Sequence, residues 1–209
     1  MKLYYSPHSP FVRKVLVVAG EVDLLDRIEL LHSRTTLTYR DPDIVAANPL
    51  GQVPTFIGDD GAILADSRVI CEYLDAIGDG GLFPAAPRRW EALIDQSSAD
   101  GLLDAAILTR IETVLRPEEK RWPDGLAGQM SKIESVLDHF AAHAETLAGR
   151  VDIGTISLGC ALSYLDYRFG TFDWRSGRSS LADWYGGFAE RPAMIATALG
   201  VDRLEAART

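Results

Sequence analysis

The stretch Ser6-Pro7-His8-Ser9-Pro10-Phe11-Val12-Arg13-Lys14 restricts the fold of this chain more than any other. It follows the apolar run Leu3-Tyr4-Tyr5 and precedes Val15-Leu16-Val17-Val18-Ala19, a pattern that predicts a strand, a tight turn and a helix. Pro10 suits the first helical position, where its missing N–H costs nothing. Ser9 is then the N-cap, with its hydroxyl at the positive end of the helix. A hydroxyl beside free backbone N–H groups can hold an anion, whether carboxylate, phosphate or thiolate. Capping alone accounts for Ser9 equally well at this point.

Strands and helices alternate through the first half. Strand residues 2–5 lead to a helix from Pro10 to about Gly20, with Val12, Val15, Leu16 and Ala19 on one face. Residues 27–31 form a second strand, and the polar residues 32–40 a loop. A short helix at 43–47 has Asp41 as N-cap and Pro42 in first position. Asn48-Pro49-Leu50-Gly51-Gln52-Val53-Pro54 marks a turn into a strand at 55–57. Pro54 is either an edge device or the site of a cis bond, which would turn the N–H and C=O of Val53 outward toward an extended peptide. Gly58-Asp59-Asp60-Gly61 predicts a hairpin turn, with the return strand at 62–64. Asp66-Ser67 then opens a helix to about Ile77, with Ile70, Leu74 and Ile77 as its core stripe. Ser67 is either a second capping residue or a second anion site, suited to a carboxylate. The order is βαβαββα.

Composition narrows the function. Of the 209 residues 47% are hydrophobic, so a core can be buried. A formal net charge of −9 argues against nucleic acid as a partner, because phosphate binding needs a basic face. No apolar run approaches the roughly 20 residues of a membrane span. The chain enters a strand at once, without a signal-peptide layout. Cys71 and Cys160 both lie in apolar helical contexts, and two buried thiols in a cytoplasmic protein is the expectation. No His/Cys/Asp/Glu cluster shows metal-ligand spacing, so no metal is expected.

Three motifs together carry a resemblance. Ser9-Pro10-Phe11 with Arg13 close behind, Asn48 through Pro54, and Ala65-Asp66-Ser67 followed by Ile70-Cys71-Glu72-Tyr73-Leu74 resemble the N-terminal half of soluble glutathione S-transferases. The Ser-Pro-Phe form is most similar to serine-type, bacterial members. The resemblance covers nearly the whole chain. It implies an α/β thioredoxin-like glutathione-binding domain at 1–79, a linker at 80–87 and an all-helical domain at 88–209, in a cytoplasmic homodimer with a detoxifying role. It further implies that Ser9 donates to the glutathione sulfur and that Val53 pairs through its backbone with the cysteinyl part, next to a cis Pro54. Asp66 and Ser67 would take the γ-glutamyl end, at its ammonium and its carboxylate respectively. Gln52 would approach the glycyl end, where a lysine is also common in the family, and His32 is a second candidate there. Ser6 is the competing hydroxyl for the sulfur.

The chemistry is consistent with that implication. A free thiol titrates near ~8.5, and one hydroxyl donor at a helix N-terminus can depress that by about two units, or ~2.7 kcal/mol. The turn from Ser6 to Pro10 contains no cysteine, which disfavours exchange through a protein-bound mixed disulfide. The implied reaction is conjugation of the thiolate to a small electrophile. A glutathione-dependent isomerase or dehalogenase, or a non-catalytic glutathione- or ligand-binding dimer, are the alternatives.

Beyond the linker everything reads helical. One long helix spans 88–115, with Trp90, Leu93, Ile94, Leu102, Ala105, Ala106 and Ile107 as apolar positions and Gly101 marking close packing or a bend. A second spans 126–147, with Met130, Ile133, Leu137, Phe140 and Ala144 as its stripe. A central buried helix starts at Asp152 and runs to about 167. The family's usual Ser/Thr cap and third-position Asp are exchanged here, as Asp152 and Thr155, which puts the return hydrogen bond from Thr155 in question. The last helices are expected at 180–190 and 192–199. A second substrate is expected between the domains, near Leu102, Ala106 and Arg110 on the first long helix and Tyr5 and Pro10 opposite. Ordinary core packing for the first two, and an ion pair with Glu112 or Asp104 for Arg110, are the competing readings.

Overall fold

The computed structural model describes residues 1–206, which divide into two compact units. The first comprises Met1–Phe83 together with the chain from Pro192 onward, and the second Pro84–Arg191. The sequence reading has 88–209 as one helical domain, whereas here the residues from Pro192 on pack with the first unit.

In the first unit, β1 (Lys2–Tyr5), β2 (Glu29–His32), β3 (Thr55–Ile57) and β4 (Ile63–Leu64) form one sheet in the order β2-β1-β3-β4. β1 and β2 are parallel, while β3 is antiparallel to both β1 and β4. α1 (Pro10–Glu21) packs against α3 (Ser67–Gly78), and α2 (Pro42–Ala47) lies between them in sequence. Leu3, Val12, Val15, Leu16, Phe56, Ile70 and Leu74 are buried and form the core. Ile77, expected in that core, is instead exposed, and Cys71 takes the buried position. The Asp41 cap of α2 forms as expected, accepting from the Asp43 N–H at 3.2 Å. The Arg34 guanidinium, hydrogen-bonded to Asp41, holds that carboxyl below the usual carboxylate range.

Two short helices follow Arg191: α8 (Pro192–Ala196) and α9 (Arg203–Ala206). α8 packs on α1 so closely that a Cβ on Gly20 would stand 2.9 Å from that of Ala193. Glycine is needed there for the approach of the two helices.

The second unit contains α4 (Arg88–Arg110), α5 (Pro123–Ala142), α6 (Ile153–Arg168) and α7 (Ser179–Ala189). The expected single helix over 88–115 changes pitch at Arg110 and ends in a π-helical turn, Ile111–Leu115. Likewise α5 stops at Ala142, and Ala144–Leu147 forms a separate 3-10 turn. Trp90 and Ile94, read as apolar core positions of α4, are both 62% exposed. Gly101 is exposed, and a Cβ there would meet no atom within 4 Å, so close packing does not explain it.

α6 is the central helix, with every residue from Ile153 to Leu162 buried, as befits a helix apolar on all sides. Its start is closed by a full capping box. Asp152 Oδ1 accepts from the Thr155 N–H at 3.1 Å, and Thr155 Oγ1 accepts from the Asp152 N–H at 3.0 Å. The bond that the exchanged residues put in question is therefore made. A hydroxyl on a β-branched carbon reaches back one turn as well as a carboxylate does. Among the described residues no helix is long and apolar enough to cross a membrane.

Candidate functional site

Strand direction decides which residues meet. β1 and β2 are parallel, and Tyr5 and His32 are register partners that close both strands at one end of the sheet. β3 runs the other way, so its first residue, Thr55, follows Val53–Pro54 in at that same end, just past the pairing with Tyr4. β4 reverses again and leaves there, with Leu64 paired to Phe56 and Asp66-Ser67 following. One end of the sheet therefore gathers the Ser9 turn, His32, Gln52-Val53-Pro54 and Asp66-Ser67. α1 and α3, each 12 residues long, both begin there, so two positive helix ends share that side of the unit.

Ser9 caps α1 as expected, with its Oγ accepting from the Val12 N–H at 3.2 Å. A hydroxyl has one donor and two acceptor sites, so capping consumes only an acceptor. Among the described residues the donor has no partner, and Ser9 is half-buried rather than sealed. Ser6, the competing hydroxyl, lies before the turn. Its Oγ accepts from the His8 N–H at 3.4 Å and its carbonyl from the Ser9 N–H at 3.2 Å.

The Val53–Pro54 bond is cis. Among the described residues the backbone N–H and C=O of Val53 make no hydrogen bond, while its neighbours are tied down: Thr55 Oγ1 donates to the Gln52 carbonyl at 2.7 Å, and Asn48 Nδ2 to Thr55 Oγ1 at 2.9 Å. A fixed backbone with an open donor and acceptor is a template for an extended peptide. Pro54 is buried and the Gln52 side chain is exposed. Asp66 is the N-cap of α3, accepting from the Arg68 N–H at 2.8 Å, and is otherwise exposed. Ser67 is the first residue of that helix and is buried, and among the described residues its hydroxyl makes no hydrogen bond. His32 is exposed and ends β2 rather than lying in a loop.

The residues expected for a second substrate fare differently. Pro10 is buried. Tyr5 is buried, and its hydroxyl donates to the Val201 carbonyl at 2.9 Å, with burial pushing the phenol up. In the other unit Leu102 and Ala106 are fully buried on α4. Arg110 is half-buried near Tyr164, whose phenol burial pushes up against the charges of Arg168 and Arg110. Of the ion-pair partners considered for Arg110, Glu112 binds Arg116 Nε at 2.7 Å and the Trp122 N–H at 2.6 Å instead.

Sequence reasoning missed the part played by residues near 200. The Gly200 N–H donates to the Pro7 carbonyl at 2.9 Å, inside the turn that carries Ser9. Arg13, part of the N-terminal motif, is buried and donates from Nη2 to the Met194 carbonyl at 3.0 Å. A buried arginine late in the first turn of an apolar helix is the signal that could have pointed to a distant carbonyl partner.

Residues 8–77 match the family model for the glutathione S-transferase N-terminal domain, and residues 105–187 that for the C-terminal domain. A glutathione transferase family member from Pseudomonas fluorescens Pf-5, solved with bound glutathione, is 40% identical, covers 96% of this chain and 99% of its own, and superposes with a TM-score of 0.92. A glutathione S-transferase from Methylobacillus flagellatus KT, also solved with glutathione, is 32% identical over 94% of this chain and 98% of its own, with a TM-score of 0.82. The uncharacterized GST-like protein YibF of Escherichia coli (strain K12) is 31% identical over 80% of this chain and 83% of its own length. With both domain models matched in order around a thioredoxin-like unit and a helical one, the chain belongs to the glutathione S-transferase family.

Proposed function

We propose that this protein binds glutathione at the gathered end of the sheet and activates its thiol for attack on a small electrophile. The observation that carries the reading is the Ser9 hydroxyl, held at the start of α1 by an acceptor bond to Val12 with its donor unspent. Ser9 directs that O–H at the sulfur and favours the thiolate over the thiol. Val53 offers its N–H and C=O to the cysteinyl peptide. Ser67, with its hydroxyl open at the start of α3, takes the γ-glutamyl carboxylate, and Asp66 the ammonium. Gln52 and His32 lie toward the glycyl end. Titration of the absorbance of bound glutathione tests this directly. A bound thiol that ionises well below ~8.5, with turnover of at least one member of an electrophile panel, is the expected result. Binding with an unshifted thiol would identify a carrier, and no binding would end the reading.

Ser67→Ala separates binding from activation. A hydrogen bond to a charged group is worth about 1.5–3 kcal/mol, so the variant should bind glutathione at least about tenfold more weakly while the bound thiol still ionises early. Calorimetric affinity and the absorbance titration read the two effects apart.

Association as a homodimer in the cytoplasm belongs to the same reading. Trp90 and Ile94 are one turn apart on α4 and both largely exposed, as are Ile63, Val69 and Ile77 in the first unit. Cys71 and Cys160 are both buried and, among the described residues, form no disulfide, as suits a reducing compartment.

A further inference from the structure

Ser9 sits in the turn between β1 and α1. Within it the Ser9 N–H donates to the Ser6 carbonyl at 3.2 Å and the His8 N–H to Ser6 Oγ at 3.4 Å. Its firm anchors come from residues nearly two hundred positions away. Immediately before the turn, the Tyr5 hydroxyl donates to the Val201 carbonyl at 2.9 Å and accepts from the Arg203 N–H at 3.4 Å. Inside it, the Pro7 carbonyl accepts from the Gly200 N–H at 2.9 Å. Just after it, Arg13 donates to the Met194 carbonyl at 3.0 Å. α8 is held against α1 by the close approach of Ala193 to Gly20, so the segment supplying these partners is itself fixed. A small cavity is lined by Tyr5, Ser6, Ser9, Thr197 and Arg203, from both the turn and that segment.

We infer that residues 194–203 form a strut that sets the position of the Ser9 hydroxyl, with Tyr5 as the positioning residue that couples the strut to the turn. Three anchors bracket Ser9 in sequence, and each engages a different point of the strut. Activating a thiol through one hydrogen bond demands a donor held in place, and a shift of an ångström forfeits most of the gain. The Tyr5 phenol is suited to the task because it both donates to and accepts from the strut, whereas its ring is already committed to the core. The inference rests on the glutathione reading for its chemical consequence, but the positional claim stands without it.

Tyr5→Phe removes one oxygen and leaves the ring. Two readouts apply: hydrogen exchange at the Val12 amide, which bonds to Ser9 Oγ, and ionisation of bound glutathione. Val12 exchange should rise severalfold, and the bound thiol should ionise roughly half a unit later, which lowers kcat/KM at pH 6.5 about twofold. The KM for glutathione should change little. Gly200→Ala strains a residue at φ +81° and should move both readouts the same way from the strut side. Asp75→Asn serves as the control. Asp75 accepts from the Leu82 and Phe83 N–H groups at 2.8 and 3.0 Å, away from the turn, so its variant loses stability without moving either readout. Wild-type exchange at Val12 and wild-type ionisation in Tyr5→Phe would overturn the inference, even with a lowered melting temperature. If the wild-type protein leaves the thiol unshifted, the proposed function fails, and Val12 exchange alone decides the positional claim.

Discussion

Ser9→Ala should lower kcat/KM at pH 6.5 by about fifty-fold, with little loss at pH 9. With a bound pKa near ~6.5, half of the glutathione is thiolate at pH 6.5, and a return to ~8.5 leaves about 1%. The pH–rate profile should therefore move up by about two units and converge with wild type once both thiols are ionised. Alanine also removes the cap on α1, at a cost of about 1 kcal/mol, so a fall in activity could be blamed on a frayed helix. Ser9→Asp separates the two roles. Its carboxylate caps as well as a hydroxyl does, yet it has no proton to donate and repels a neighbouring thiolate. Stability at or above wild type with activity lost is the expected pairing. A Ser9→Ala enzyme whose pH profile overlies that of wild type would remove Ser9 from the mechanism.

Asp152→Ala should cost the protein about 2–3 kcal/mol, or roughly 5–10 °C in melting temperature. Asp152 is buried at the start of α6 and does two jobs there. Oδ1 caps the Thr155 N–H at 3.1 Å, and Oδ2 accepts from Arg150 Nε at 2.9 Å. Arg150 reaches on to Asp95 Oδ2 on α4 at 2.8 Å, so one carboxylate ties the start of the central helix to its neighbour. Removal leaves the Arg150 guanidinium with only Asp95 and the Thr146 carbonyl among the described residues, and an uncapped N–H in the core. Asp152→Asn keeps the cap and should fall between the two. A melting temperature within about 2 °C of wild type for the alanine variant would show that the box is dispensable.

What the sequence discloses here is what short-range chemistry dictates. Ser9-Pro10, Asp41-Pro42 and Asp66-Ser67 each announce a helix start, and all three caps form where the residue types put them. The alternation of strands and helices through Leu64 was equally plain, because each element is set within a few residues. The end of the sheet that gathers Ser9, Val53 and Ser67 was reachable only through the resemblance, since strand direction is not written in any one strand. Burial was the weaker inference. Trp90, Ile94 and Ile77 look like core residues by spacing, yet face solvent, because spacing defines a stripe but not what covers it. The change of pitch at Ile111 carries no Gly or Pro to mark it. The attachment of residues 192–203 to the first unit has one local signal, the charge of Arg13 within an apolar helix, and that signal names no partner. Its bonds run from Tyr5 to Val201 and from Gly200 to Pro7, and no window of sequence contains both partners.

That last attachment bears on how the protein is made. Synthesis delivers the sheet, α1 and α3 first, then the helices of the second unit, and only afterwards the residues that brace the Ser9 turn. At about 5–20 residues per second, the ribosome spends roughly 5–20 s on the intervening stretch. Through that interval the nascent first unit has the residues of its strands and caps but lacks the carbonyls of Met194 and Val201 and the amide of Gly200. The turn proposed to meet the thiol is thus completed last, and a chain halted before residue 194 carries every motif of the proposed site without the partners of Tyr5, Pro7 and Arg13.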